Sequence, residues 1–300
     1  MTEHYPRIRI RARNGHVVLR EGLNICFYLR HAHAEVAQKV RQALDTFQGV
    51  VGAGALERFA DTDGDWHPLD EAGWRYVHEE LQADDWALVR LRGESPEGPA
   101  FGFEYHGKTA SDVSMDEPGA VTALGFWLPT EALESLGPQR IRELALELAK
   151  PLPFCFGHAG LSFNGELDLM GVDHEVDLRR FRHPGLDVFD LGTLSWKLGT
   201  RVRGPSWLTF LGRPVLDPLD GAAGLRSRLG EESIKVDALD PHRVVITLGE
   251  SPEAGDVDQG HTLPAYRTLA QVLEPWTYRE EHLHGAGEET QRRWERRFLD

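Results

Sequence analysis

A strand, a helix and then a pair of strands follow one another twice along this chain, and that order narrows the possible folds more than any other feature. The first copy runs from Leu23 to His106 and the second from Trp207 to Leu248. Leu23 to Leu29 is an almost unbroken apolar run, the pattern of a central strand. The helix after it carries Val36, Val40, Leu44 and Phe47 at helical spacing. Trp86 to Arg92 and Ala100 to His106 then form the strand pair, turned by Ser95-Pro96-Glu97-Gly98-Pro99. In the second copy a helix capped by Asp217 or Asp220 runs to Leu229. Ile234 to Ala238 and Val244 to Leu248 pair after it across Asp240-Pro241.

Strands joined by a short turn pair antiparallel, whereas a doubly wound sheet needs strict alternation of strand and helix. The expected fold class is therefore α+β, a mainly antiparallel sheet with helices packed on one side. The recurring order is compatible with a weak internal strand-helix-strand-strand duplication, although few residues match between the copies.

Further elements fit this frame. Ile8 to Arg13 alternates apolar and basic residues, and Asn14-Gly15 turns the chain into a returning strand from His16 to Arg20. Arg7, Arg9, Arg11 and Arg13 then share one face, expected to be the solvated face of an edge hairpin. Asp70 is placed to cap a helix with Trp74, Val77 and Leu81 on one side. Val121 to Leu128 is strand-like, Thr130 is expected to cap a short helix, and Gly137-Pro138 restarts it. Residues 1–278 are expected to form a single domain, and 279–300 a charged helical tail, loosely attached.

At 300 residues and 41% hydrophobic composition, the chain can bury a core without disulfide staples. Cys26 and Cys155 sit in apolar surroundings and read as buried thiols of a reducing compartment. No apolar run approaches the roughly 18 residues of a membrane span, and the first residues lack the basic-then-apolar pattern of a secretory signal. A cytoplasmic protein without membrane contact is expected.

The net charge of -15 argues against nucleic acid as a direct partner and for a cationic one. The charge is concentrated: between Asp61 and Glu117 fifteen acidic residues face only four basic ones, an excess of eleven. Asp61, Asp63, Asp65, Glu79, Glu80, Asp84 and Asp85, in the densest part of the span, are the expected partner contacts. Asp70 is set apart as a cap.

Catalytic patterns are missing. Gly52-Ala53-Gly54 lacks the third glycine of a phosphate loop, and no nucleophile elbow or His-Glu-x-x-His occurs. His31 and His33 alternate as metal ligands do, but without an evident third ligand. Asp61 to Asp65 starts like a calcium loop and then places Trp66 and Ala72 where glycine and glutamate are required. Lys108 lies near Glu104 without the further acids of a nuclease centre. No catalytic residue, metal or cofactor is expected, and the chain reads as a binding protein and not an enzyme.

Several blocks agree in order with a known family. They include Cys26-Phe27-Tyr28-Leu29-Arg30, Phe126-Trp127-Leu128-Pro129-Thr130-Glu131 and Gly157-His158-Ala159-Gly160-Leu161. Leu198-Gly199-Thr200-Arg201-Val202-Arg203-Gly204, Trp207-Leu208-Thr209-Phe210-Leu211-Gly212 and Thr262-Leu263-Pro264-Ala265-Tyr266 continue the series. From Gly22 to Tyr278 the chain thereby resembles the type VI immunity family TsiV. The resemblance implies an immunity protein that binds and neutralises a toxin delivered by type VI secretion. The implied partner is a VRR-Nuc nuclease, with its basic DNA-binding surface covered. The alternatives are an immunity or regulatory protein for a non-nuclease toxin, or an enzyme with an unrecognised site.

Overall fold

The computed structural model of the chain describes residues 5–114, 119–167, 169, 171–280 and 287–300. Strand β1 (Arg9–Arg11) turns at Asn14-Gly15, where Gly15 takes a φ of 87°, into β2 (Val17–Leu29). The two strands expected at His16–Arg20 and Leu23–Leu29 are thus one, 13 residues long. It continues through Gly22, which pairs with Pro129 on one side and Ser162 on the other. A Cβ there would stand 2.8 Å from the Leu128 carbonyl oxygen of the neighbouring strand, so only glycine lets that backbone come this close.

Helix α1 (His33–Val51) follows, then a short hairpin of β3 (Arg58–Ala60) and β4 (Trp66–Pro68), and helix α2 (Glu71–Glu80). Next come β5 (Ala87–Arg92), β6 (Gly102–Gly107), β7 (Thr122–Pro129), α3 (Thr130–Ala149) and β8 (Phe156–Gly165). The remainder is α4 (Val172–Arg180), α5 (Leu191–Lys197), β9 (Leu208–Leu211), α6 (Gly221–Leu229), β10 (Ile234–Asp240), β11 (Arg243–Leu248), α7 (Pro264–Leu273) and α8 (Glu288–Glu295).

The strands lie in one sheet in the order β10-β11-β9-β8-β2-β7-β6-β5-β3-β4, with β1 also on β2. Every pairing of these strands is antiparallel, as expected for the α+β class. The two copies of the strand–helix–strand-pair order are wired differently. β11 returns directly onto β9, whereas β7 lies between β2 and the β5–β6 pair.

Helices occupy both faces of the sheet, not one. Leu23, Ile25, Phe27 and Leu29 pack into one core with Val36, Val40 and Phe47 of α1 and Ile141, Leu144 and Leu148 of α3. Cys26 and Tyr28, on the other face of β2, pack with Leu191 of α5, Leu225 of α6 and Leu269 of α7. The reason was present in the unbroken apolar run of β2: a strand without polar alternation is buried on both sides. Both cysteines are buried and free.

Local signals act largely as their chemistry requires. Asp70 Oδ1 accepts from the amides of Ala72 at 2.9 Å and Gly73 at 3.0 Å and so caps α2. Asp70→Ala is expected to lower unfolding stability by about 1 kcal/mol, read as a shift in urea midpoint with unchanged slope. Gly137, at φ 78°, breaks α3, and Pro138 restarts it. Thr130 does not cap: its hydroxyl donates to Glu21 Oε1 at 3.0 Å. Asp220 stands at the N-cap of α6 without a side-chain cap bond, and Asp217 opens a short 3-10 turn instead.

Two expectations about the ends of the chain are corrected. The arginine face of β1 is not uniformly solvated, because Arg9 turns inward onto Glu21, which is fully buried. The C-terminal segment is helical and charged but not loosely held. Trp294 is 2% and Phe298 6% exposed, and Arg297 reaches Asp187 at 3.2 Å.

Candidate functional site

The β3–β4 turn is built by one carboxylate. Asp61 Oδ1 accepts from the amides of Asp63 at 3.0 Å and Asp65 at 2.9 Å, while Oδ2 meets His67 Nε2 at 2.7 Å. The His67 bond, ahead of the turn amides, holds the Asp61 carboxyl below its usual range. Gly64, at φ 92°, supplies the left-handed residue of the turn. Asp61 therefore shapes the loop, and Asp63 and Asp65 are presented to solvent by it.

β3 and β5 run antiparallel with Ala60 opposite Arg90, so the turn after β3 projects beside the start of β5. Asp84 and Asp85, both exposed, lead into β5 at that same end. Glu79 and Glu80 close the last turn of α2 just before them. Glu79 is exposed, whereas Glu80 is half-buried, with Oε2 3.4 Å from the Leu88 amide. Five of the seven expected contacts, Asp63, Asp65, Glu79, Asp84 and Asp85, thus have free carboxylates among the described residues. Asp61 and Glu80 serve the fold as well.

Sequence reasoning did not single out the aromatic residue in this patch. Trp86 follows Asp85 directly and is 51% exposed. Trp74 is half-buried beside His78, and Trp66 is covered by the Arg92 guanidinium at 3.9 Å from the ring centre. Exposure of Trp86 depends on its place one residue before the strand begins, on the face with half-exposed Leu88 and Arg90 and opposite buried Ala87 and Val89.

The rest of the acidic span does not join the patch as a block. Glu94 and Glu97 lie in the loop between β5 and β6, at the far end of β5, and Glu104 lies on the sheet. Asp116 and Glu117 fall outside the described residues.

Glu104, Lys108 and His33, which carry catalytic or metal-binding chemistry in principle, are engaged in other contacts. Glu104 bonds His106 Nε2 at 2.7 Å, and Lys108 Nζ sits 3.4 Å over the Trp196 ring, so the two do not meet as a nuclease pair. Burial pushes the Lys108 ammonium down to about 8. His33 is buried, with Nδ1 2.7 Å from the Tyr105 hydroxyl. Among the described residues no group of three or more His, Cys, Asp and Glu side chains is placed to hold a metal ion.

Among the described residues, the histidine pushed furthest from its ordinary range is enclosed. Burial lowers His158 to about 4, and its ring is packed by Tyr28, Phe156 and Phe189 with both nitrogens unpartnered. Nearby, Asp187 receives Arg203 at 2.7 Å and Arg297 at 3.2 Å. A hollow of about 420 Å³ beside Phe189, Arg203 and Arg297 is not lined by His158. His158 therefore does not open onto that hollow, as an acid–base group acting there would need to.

A family model described as "TsiV: Type VI immunity for VRR-NUC" matches residues 39–298. The match takes in the C-terminal segment and starts after the Cys26–Arg30 block. Among solved structures, the Pseudomonas aeruginosa T6SS protein PA0821 is similar in fold, with a TM-score of 0.79 at 21% identity over 99% of this chain and 88% of that one. No curated protein matches. Among the described residues no helix is long and apolar enough to cross a membrane.

Proposed function

The chain belongs to the TsiV family of type VI immunity proteins, and from that premise we propose that it binds a VRR-Nuc nuclease toxin in the cytoplasm and covers its DNA-binding surface. The role is stoichiometric capture, without turnover or cofactor. The observation that carries the reading is the acidic end of the sheet. Asp63, Asp65, Asp84 and Asp85 are exposed there beside Trp86. A nuclease must offer DNA a basic surface, and carboxylates held on a rigid sheet end compete with phosphate for it. Such charges act mainly on the association rate. Retention of the toxin needs a desolvated anchor, the kind of contact that tryptophan supplies best.

The two contributions are separable by experiment. Changing Asp61, Asp63, Asp65, Asp84 and Asp85 to Asn, with Glu79 and Glu80 to Gln, is expected to slow association with the purified toxin domain about tenfold at low salt. The difference should shrink as salt is added. Asn at position 61 keeps an oxygen acceptor for the turn amides, so the loop should survive. Trp86→Ala is expected instead to speed dissociation, weakening binding by about 2 kcal/mol. Stopped-flow association and surface-based dissociation measurements read the two rates. Parental rates in both variants would place the interface elsewhere.

A further inference from the structure

The sheet face opposite α1 and α3 is covered only in part. Helix α5 lies over β7 and β6, with Leu191 close to Gly125 and Gly192 close to His106. Beyond it, on β5, Leu88, Arg90 and Arg92 remain half-exposed. The pairing register sets Arg92, Gly102 and Trp127 in one row across the strands, and Arg90, Glu104 and Gly125 in the next. Gly102 leaves the row between Arg92 and Trp127 without a side chain, while Leu191 covers Gly125. A Cβ on Gly102 would stand 3.3 Å from the Trp127 ring, so glycine there lets the indole lie across the sheet.

The result is a groove of about 810 Å³, within the range of roughly 300–1,000 Å³ seen for sites that engulf a ligand. Its walls include Trp66, Phe101, Trp127 and Phe189. Arg92 is already engaged by Trp66 at 3.9 Å and by Glu166 at 3.0 Å. Five carboxylates, those of Glu57, Glu94, Glu104, Glu166 and Asp190, line the groove against the two guanidiniums of Arg90 and Arg92. Trp66 also follows the acidic Asp61–Asp65 turn directly, so groove and acidic end form one continuous surface.

We propose that this groove receives a basic segment of the toxin, which lays an apolar or aromatic side chain against Trp127 and Phe189 and sets lysine or arginine against Glu104 and its acidic neighbours. The proposal rests on the immunity reading above and locates the anchor that acidic rim charges alone do not provide. Charge complementarity selects the occupant: an acidic, aromatic-walled groove disfavours an acidic peptide and accepts the cationic flanks of a nuclease loop.

The test uses a covalent plug. Cys26 and Cys155 are 0% and 4% exposed, so a single new cysteine is the reactive thiol of the folded protein. Ala100→Cys places one on the groove lining. Gln139→Cys places another on the exposed side of α3, across the sheet. Each folded variant is labelled with a bulky maleimide and titrated with a catalytically inactive VRR-Nuc toxin domain. The label at Ala100→Cys is expected to raise Kd at least thirtyfold, and the label at Gln139→Cys to leave it unchanged. Equal Kd for labelled and unlabelled Ala100→Cys, or equal loss at both positions, overturns the groove assignment and leaves the immunity reading standing. Absence of a complex with the unlabelled protein overturns the immunity reading and this inference with it.

Discussion

Asp187→Ala is expected to cost about 3–5 kcal/mol of stability and to release the C-terminal segment from the body. Asp187 is 9% exposed and takes Arg203 at 2.7 Å and Arg297 at 3.2 Å on the same oxygen. That oxygen also accepts the Val188 amide at 2.9 Å. Removing the carboxylate leaves two buried guanidiniums without their counter-charge, and such a loss is far larger than the net worth of the intact cluster. Because Arg297 follows α8, limited proteolysis should cut between α7 and α8 sooner in the variant, alongside a lowered urea midpoint. Asp187→Asn keeps an acceptor without the charge and should fall between the two.

The same cluster sets an acid limit on the fold. Burial alone would raise the Asp187 carboxyl, but Arg203 and then Arg297 overcome it and hold the group below 3.8. A depressed folded-state value means that this stabilisation is present above the unfolded-state value and is lost as pH falls through the folded one. His158 adds to the same trend from higher pH. In the unfolded chain it takes a proton near 6.5, whereas burial in the fold delays protonation to about 4. Stability should therefore decline as pH drops from about 6.5 towards 4 and fall further below that. Equilibrium unfolding across this range checks both, and a flat profile between pH 7 and 4 would contradict the assignment of His158.

Glu21→Ala is the second substitution expected to cost about 3–5 kcal/mol. Its side chain is fully buried on β2. Oε2 accepts the Ile8 amide at 2.8 Å and the Arg9 guanidinium, and Oε1 accepts the Thr130 hydroxyl at 3.0 Å. Arg20, itself 2% exposed, lies 3.7 Å from Glu21 and 2.5 Å from Glu131. One carboxylate thus ties β1, the start of α3 and the centre of the sheet. Its removal should speed amide exchange in β1 before it affects α7 at the opposite side of the molecule. Uniform acceleration across the chain would show that Glu21 acts on global stability alone.

Both hubs explain why sequence reasoning reached some features and missed others. The Asp70 cap, the Gly137-Pro138 break and the helical spacing of Val36, Val40, Leu44 and Phe47 were legible because each involves residues within a few positions of one another. The mainly antiparallel sheet was legible for the same reason, from short turns between successive strands. The concentration of acid from Asp61 onward was also plain in the chain itself.

The clusters around Glu21 and Asp187 were not, since they join residues about 110 positions apart, as Arg20–Glu131 and Arg297–Asp187 do. A charged tail reads as solvated until a buried aspartate is found to hold it. The acidic span likewise had one sequence identity and several spatial ones: turn-former at Asp61, free carboxylates at Asp63 and Asp85, groove wall at Glu104. Short-range sequence determined most of the strands and helices, the Asp70 cap and how much negative charge the protein carries, because periodicity and local capping are satisfied by neighbouring residues. Only the tertiary structure decided which sheet face stays bare, which tryptophan meets solvent and which charges pair in the interior. Those outcomes depend on where distant helices land on the two faces of β2, and burial then makes each landing site either pair its charges or exclude them.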